Sequence, residues 1–192
     1  MKEASSLSDH AEQTVRSVRH WVETLVVEMN LCPFAKRELV KKRVRFSTTT
    51  STTEEQLLMA LQAELELLNS DPSVETTLLI HAGVLQDFYD YNRFLGYADS
   101  LLVGMGLEGI YQIASFHPDY LFGGTQADDA ENYTNRSPYP MLHLIREASL
   151  ERVIADYPDV DQIPLRNIAL MNELGQDKLQ ALLKSCLQVT DR

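Results

Sequence analysis

The sequence has few cysteines, no long hydrophobic run and no glycine-rich nucleotide-binding motif. Its two cysteines, Cys32 and Cys186, lie far apart in a chain of 192 residues, which excludes a disulfide framework and is typical of a reducing compartment. No stretch approaches the roughly 18 consecutive apolar residues of a transmembrane helix. The opening residues, MKEASSLSDHAEQ, lack the apolar stretch of a signal peptide. We therefore expect a cytoplasmic protein with no membrane partner.

The charge of the chain is strongly negative, with a formal net charge of −11. An acidic surface of this kind repels nucleic acid. The basic residues that do cluster have no aromatic residues between them and predict a solvated helix face; they are Lys36, Arg37, Lys41, Lys42, Arg43 and Arg45. We expect no nucleic-acid partner.

Hydrophobic periodicity predicts strands that alternate with helices. Apolar residues recur at helical spacing from about Asp9 to Met29, from Leu57 to Leu68 and from Phe88 to Met105. Short β-branched or apolar runs predict strands at 44–49, 76–80 and 110–116. Further helices are expected from Phe34 to about Lys42, after Pro138, from Pro164 to Gly175 and around Leu179–Leu187.

This order of elements favours an α/β fold in a single domain that spans residues 1–192. Strands joined by helical crossovers pair in parallel, so we expect a sheet of three or slightly more strands that is mainly parallel and flanked by helices. A ferredoxin-like α+β arrangement, with an antiparallel sheet, is the alternative.

A long polar stretch from His117 to Glu147 is the most unusual feature of the chain. Loops of this length are uncommon in compact domains and are usually functional or disordered, and the aromatic residues here argue against disorder. His117 directly follows the third predicted strand, and His81 follows the second. Ligands of parallel α/β sheets bind beyond the carboxyl ends of the strands. We therefore expect His117 to be catalytic, with Asp119 orienting its ring.

The end of this stretch predicts an anion-binding helix start. Ser137 is a favourable N-cap before Pro138, and the free N–H groups of such a helix attract negative charge. A helix here would place His143 and Arg146 on one face, with His143 as a further catalytic candidate. The candidate substrate-binding residues of the stretch share hydrogen-bonding side chains; they are Thr125, Asn132, Asn135, Arg136, Ser137 and Arg146.

Cys32 is the remaining catalytic candidate. If Pro33 is the first residue of a helix, Cys32 occupies its N-cap, where the helix dipole and nearby Lys36 would lower the thiol pKa and favour a nucleophile. The alternative is a small apolar residue that fills space after the first helix. Cys186 lies on an apolar helix stripe and is predicted to be a core residue.

Three segments resemble a known bacterial family, the domain of unknown function 1415. The segments are Leu31–Ala35, Ser115–Tyr120 and Glu131–His143, and the similarity extends over nearly the whole chain. The resemblance implies that the three segments act together, and it implies no substrate.

Three functions compete at this stage. The first is an enzyme that acts on a small polar, anionic metabolite at a His/Asp/Arg site, with Cys32 as nucleophile and no cofactor. The second is a divalent metal site of the zinc type, with ligands drawn from Cys32, His81, His117 and His143. The third is a non-catalytic module that binds a ligand or a protein. The oligomeric state is left open.

Overall fold

Four strands form one sheet in the computed structural model, which describes residues 2–155, 157 and 159–189. The strands are β1 (Val44–Thr48), β2 (Thr76–Ile80), β3 (Tyr111–Phe116) and β4 (Met141–Arg146). The described residues also form seven α-helices: α1 (Lys2–Trp21), α2 (Ala35–Val40), α3 (Glu54–Ser70), α4 (Phe88–Gly104), α5 (Glu147–Ala155), α6 (Gln162–Leu174) and α7 (Gln176–Leu187). A π-helical turn, Val22–Val27, continues α1, and a 3₁₀ helix, Ala130–Thr134, lies within the polar stretch.

The strand order is β1-β2-β4-β3, and most of the pairing is antiparallel. β1 and β2, which α3 connects, pair in parallel as expected, but β4 is antiparallel to both β2 and β3. The prediction of a mainly parallel sheet is therefore wrong, although β1, β2 and β3 do run in the same direction. β2 and β3 with β4 between them form a split β-α-β unit, which also occurs in ferredoxin-like folds. The adjacent parallel pair β1–β2 does not belong to the ferredoxin-like alternative.

The fourth strand lies where a helix was predicted. Residues after Pro138 form β4 from Met141 to Arg146, and the helix begins only at Glu147. β4 is a central strand covered on both faces, so apolar residues occupy most of its positions. A short run of this kind fits a helix and a buried strand equally well.

The two faces of the sheet pack against different helices. Alternate residues of a strand point to opposite faces. The face toward α3 and α4 holds the larger core, which includes Leu65, Leu79, Phe94, Leu142 and Leu144. The face toward α1, the π-helical turn and α7 holds a second core, which includes Trp21, Leu25, Ile80, Met141 and Cys186. The predicted core position of Cys186 is confirmed.

In the described part of the chain, no helix is both long enough and apolar enough to cross a membrane.

Leu144 tests the assignment of β4 as the central strand. Its side chain is fully buried in the core against α3 and α4. We expect Leu144→Ala to lower the free energy of unfolding by about 2–5 kcal/mol, because lost burial and a residual cavity act together. Urea unfolding followed by circular dichroism measures this change.

Met59→Ala is the control, since Met59 lies on α3 with 71% of its surface exposed. It should change the free energy of unfolding by less than about 0.5 kcal/mol. Equal effects of the two substitutions would contradict the burial of β4.

Candidate functional site

An apolar cavity of about 370 Å³ lies on the sheet face opposite α3 and α4. Its floor is formed by side chains of all four strands. Its walls come from α1 and the π-helical turn, from the segment between that turn and α2, and from α5; they include Trp21, Val26, Pro33, Phe34, Leu150 and Val153. Leu150 and Val153 are three residues apart and so share one side of α5.

The chain turns sharply before it reaches this cavity. Asn30 adopts a left-handed backbone conformation with φ of 54°, which asparagine tolerates better than most residues. Leu31 N–H donates to Val26 O at 2.9 Å and closes the π-helical turn. The following residues, Cys32, Pro33 and Phe34, thereby line the cavity instead of continuing the helix.

His143 is the central polar group of the cavity. It lies on β4 opposite Leu78 of β2 and Ala114 of β3. Thr76 Oγ1 donates its single proton to Leu144 O at 2.6 Å, so His143 Nε2, at 2.7 Å from the same oxygen, must be the N–H donor in that contact. Nδ1 therefore carries the free lone pair, and no described residue donates to it. Burial lowers the pKa of His143 to about 4, so the ring is neutral at pH 7.

An ion-pair cluster lies at the start of β2. Arg43 Nη2 lies 2.6 Å from Glu38 Oε2 and 3.1 Å from Glu75 Oε2. One guanidinium is thus shared by two carboxylates. Both glutamates line the cavity, and Glu75 Oε1 is buried without a hydrogen-bond partner among the described residues.

Cys32 lines the same cavity, but it is not an N-cap. Helix α2 begins at Ala35, and Phe34 occupies the N-cap position. Burial raises the pKa of the Cys32 thiol and outweighs the hydrogen bonds from the backbone N–H groups of Phe34 and Ala35. The prediction of a lowered thiol pKa is therefore wrong. The apolar surroundings destabilise the thiolate more than the short helix α2, with six residues, stabilises it.

The polar stretch folds on itself around Asn132. This side chain is fully buried, and its Oδ1 accepts from Phe122 N–H at 3.0 Å and from Thr125 Oγ1 at 2.8 Å. Its Nδ2 donates to Gln126 O at 2.7 Å. Asn132 and Thr125, both predicted to bind substrate, therefore hold the loop together.

The prediction of an anion-binding helix start at Ser137 is wrong, because a strand follows this residue and the next helix begins only at Glu147. Ser137 is fully buried, and its Oγ donates to Tyr139 O at 2.7 Å. Asn135 Nδ2 donates to Ser115 O at 3.0 Å and ties the loop to β3. Both residues thus have intramolecular partners.

The two arginines predicted to bind substrate also contact backbone oxygens. Arg136 donates to Tyr120 O at 3.2 Å and to Ala127 O at 2.8 Å, and it stacks on Tyr133 with 4.6 Å from Cζ to the ring centroid. Arg146 donates to the carbonyl oxygens at the end of α3 and beyond it, namely those of Leu68, Asp71 and Val74, and to Tyr111 Oη at 2.9 Å. Its role there is to satisfy carbonyls that a helix end leaves free.

His117 and His81 lie away from the cavity, against Tyr91 of α4. His117 is fully buried, its Nδ1 accepts from Asp119 N–H at 3.0 Å, and its Nε2 therefore donates to Leu85 O at 3.1 Å. Asp119 orients the ring through its backbone and not through its carboxylate. His81 Nδ1 contacts Val84 O at 3.0 Å, and burial lowers the pKa of His81 to about 4.

Of the predicted catalytic residues, only Cys32 and His143 line the same cavity. Within residues 2–155, 157 and 159–189, no group of three His, Cys, Asp or Glu side chains is arranged to hold a metal ion. Glu75 and Thr76 were missed by sequence reasoning. Their only signal is a run of polar residues, Glu75 to Thr77, before the apolar residues of β2.

Comparison with known proteins identifies the family. Residues 13–181 match the family described as "Protein of unknown function (DUF1415)". The chain belongs to this family. No curated protein and no solved structure matches it. The residues that line the apolar cavity extend from Trp21 to Val153 along the chain. All of them lie within the segment that matches the DUF1415 family, residues 13–181.

The low pKa of His143 predicts a loss of stability in acid. The folded-state pKa is about 4, below the ordinary value of 6.5, so the unfolded chain takes up a proton that the folded protein excludes. The contribution of the neutral His143 ring to the free energy of unfolding is complete above pH 6.5 and is lost as the pH falls toward 4. We expect His143→Gln to reduce the acid-dependent loss in the free energy of unfolding by roughly 3 kcal/mol. Urea unfolding at several pH values measures it.

His10→Gln is the matched control, because His10 is an exposed histidine of α1. This variant should keep the pH dependence of the unsubstituted protein. An NMR titration midpoint near 6.5 for His143 would contradict the burial of its ring.

Proposed function

We propose that this protein binds a small, largely apolar molecule in the cavity that contains His143. The observation that carries the proposal is the cavity itself, about 370 Å³ of space against the sheet, walled mainly by apolar side chains. Small-molecule sites typically have about 300–1,000 Å³ and combine apolar walls with a few polar groups that fix orientation. His143, Glu75 and Cys32 are polar groups of this kind. The proposal corresponds to the ligand-binding form of the third function considered from the sequence.

An enzyme for an anionic metabolite stays a prediction with less support. The hollow that borders the polar loop is lined by Asp87, Asp119 and Arg136 together with Gln176 and Gln180. The lining holds two carboxylates and one guanidinium, that of Arg136, which already binds two carbonyl oxygens. This arrangement disfavours an anion there. A metal site also stays a prediction, without a ligand cluster in the described part of the chain.

Filling the cavity tests the binding proposal. Ala114 lies on the cavity floor beside His143. N-phenylnaphthylamine, a neutral apolar fluorophore, should bind the unsubstituted protein with one-to-one stoichiometry and increased fluorescence. We expect Ala114→Phe to weaken this binding at least about tenfold, because the new ring occupies the space of the ligand.

Ala63→Phe is the matched control, since Ala63 is exposed on α3, which packs on the other face of the sheet. It should leave the dissociation constant unchanged. Equal binding by all three proteins would show that the fluorophore binds elsewhere and would contradict the proposal.

Catalysis in the same cavity is a second candidate function. A neutral imidazole with a free Nδ1 and a protonated thiol line one apolar space. On ligand binding, the sulfur can add to one carbon of an electrophilic double bond while Nδ1 passes the thiol proton to the other atom of that bond, so that the π bond is replaced by a bond to sulfur and a bond to hydrogen. Catalysis would then need no resting thiolate, which the raised pKa of Cys32 disfavours.

The reaction of Cys32 with N-phenylmaleimide tests this second candidate. The sulfur forms a bond to one alkene carbon, and the proton passes through His143 to the neighbouring carbon. We expect His143→Gln to slow the modification of Cys32 at pH 7 by about tenfold or more, as measured by mass spectrometry. His10→Gln should react at the original rate. An unchanged rate in His143→Gln would exclude the thiol–imidazole pair and leave the binding proposal intact.

A further inference from the structure

The polar atoms of the cavity that lack partners are mainly acceptors. His143 Nδ1 has a free lone pair, since its Nε2 carries the proton donated to Thr76. Glu75 Oε1 is buried without a partner, although Oε2 of the same carboxylate binds Arg43. A buried acceptor without a donor destabilises the folded protein, and more so when the acceptor is charged. A bound molecule that supplies donors removes this destabilisation.

The cations near the cavity already have partners. Arg43 is shared between Glu38 and Glu75, and Arg37 Nε lies 3.4 Å from Glu38 Oε1. Arg146 donates to backbone carbonyls and to Tyr111. A carboxylate or phosphate at the Glu75 end would therefore meet the lone pairs of Glu75 beside guanidinium groups that carboxylates or carbonyls already bind. The remaining N–H groups of Arg37 belong to a side chain that is 60% exposed.

The sheet register gives the spacing of these groups. Thr76, next to Glu75, lies opposite Ile145, whereas His143 lies two residues and Met141 four residues before Ile145 on β4. The His143 ring reaches back toward the Glu75 end, because its Nε2 lies 2.7 Å from Thr76 Oγ1. A strand rises about 3.3 Å per residue, so the Met141 position lies roughly 13 Å from the Glu75 end. Between these ends the floor carries apolar side chains.

Trp21 marks the far end of the cavity. Its ring packs edge-on against Phe116, opposite Met141, with ring centroids 5.4 Å apart. Trp21 Nε1 also lacks a partner among the described residues, but it is a donor and is separated from Glu75 by most of the strand length. The unpartnered acceptors, which need a hydrogen-bond donor from the ligand, thus lie at the Glu75 end.

From this arrangement we infer that the ligand is an elongated apolar molecule whose head group is an N–H or O–H donor, held by Glu75 Oε1 with His143 Nδ1 as a second acceptor. This inference rests on the proposed function and specifies the chemistry of its ligand. An alcohol, amide or ammonium head fits the site. A carboxylate or phosphate head does not.

A series of probes with one apolar body tests the inference. Phenylhexanol, its methyl ether, phenylhexylamine and phenylhexanoate differ only in the head group. Each probe is used to displace N-phenylnaphthylamine from the full chain at about pH 7.5. We expect the alcohol and the amine to bind about tenfold more tightly than the ether and the carboxylate, a difference of about 1.4 kcal/mol, since only the alcohol and the amine donate a hydrogen bond to the charged acceptor.

Glu75→Leu should bring the amine and the alcohol to within about threefold of the ether, because leucine has no acceptor atom, while the ether keeps its affinity and so reports intact folding. Glu38→Leu is the matched control, because it removes a carboxylate from the same ion-pair cluster whose two oxygens already have partners. It should keep the alcohol-to-ether ratio.

The outcomes separate the two proposals. If the carboxylate binds as tightly as the alcohol, or the ether equals the alcohol in the unsubstituted protein, the donor inference is wrong and cavity binding stands. If Glu75→Leu keeps the full preference, Glu75 is not the acceptor and the inference is overturned. If no probe and no fluorophore binds the cavity, the proposed function fails and the inference fails with it.

Discussion

The pairing of β4 with both β2 and β3 is the constraint on which the rest of the structure depends. This antiparallel strand closes the gap between two strands that run in the same direction, and its alternate residues reach both cores. Leu142 and Leu144 enter the core against α3 and α4, whereas Met141 and His143 point to the other face. Arg146, at the end of β4, reaches the carbonyls at the end of α3. One strand therefore joins the cores, completes a helix end and places the central polar group of the cavity.

The polar stretch before β4 shows how the protein itself supplies hydrogen-bond partners for buried polar groups. Asn132, Asn135 and Arg136 each bind backbone groups of the loop or of β3, and His117 has both ring nitrogens occupied. Such a network stabilises an irregular segment, because each backbone group that lacks a helix or sheet partner is costly to bury. The same density of His, Asn and Arg that resembles an active site in the sequence thus serves the folding of the loop.

The cavity on the other face has the opposite character. It is apolar, and its few polar groups retain unused hydrogen-bonding capacity. Thr76 fixes the tautomer of His143 because its only proton goes to Leu144 O. Burial keeps the ring neutral and keeps Cys32 protonated. Both effects arise from desolvation, so the electrostatics of the site depend on the packing of α5 and of the Cys32–Phe34 segment over the sheet. This dependence could not be read from local sequence, where Lys36 and Arg37 beside Cys32 indicate a lowered thiol pKa.

The sequence by itself determined the elements whose hydrophobic pattern is long or unambiguous. The helices α1, α3 and α4, the strands β1 to β3, the core position of Cys186 and the family resemblance all follow from local patterns. It also singled out Cys32, His143 and Arg146, three candidate site residues that line the cavity. Only the tertiary structure decided that residues 141–146 form a strand, because a short apolar run satisfies both periodicities and its choice depends on the partners β2 and β3. The separation of His117 from His143, and the gathering of Glu75, Cys32 and His143 around one apolar space, depend on that choice.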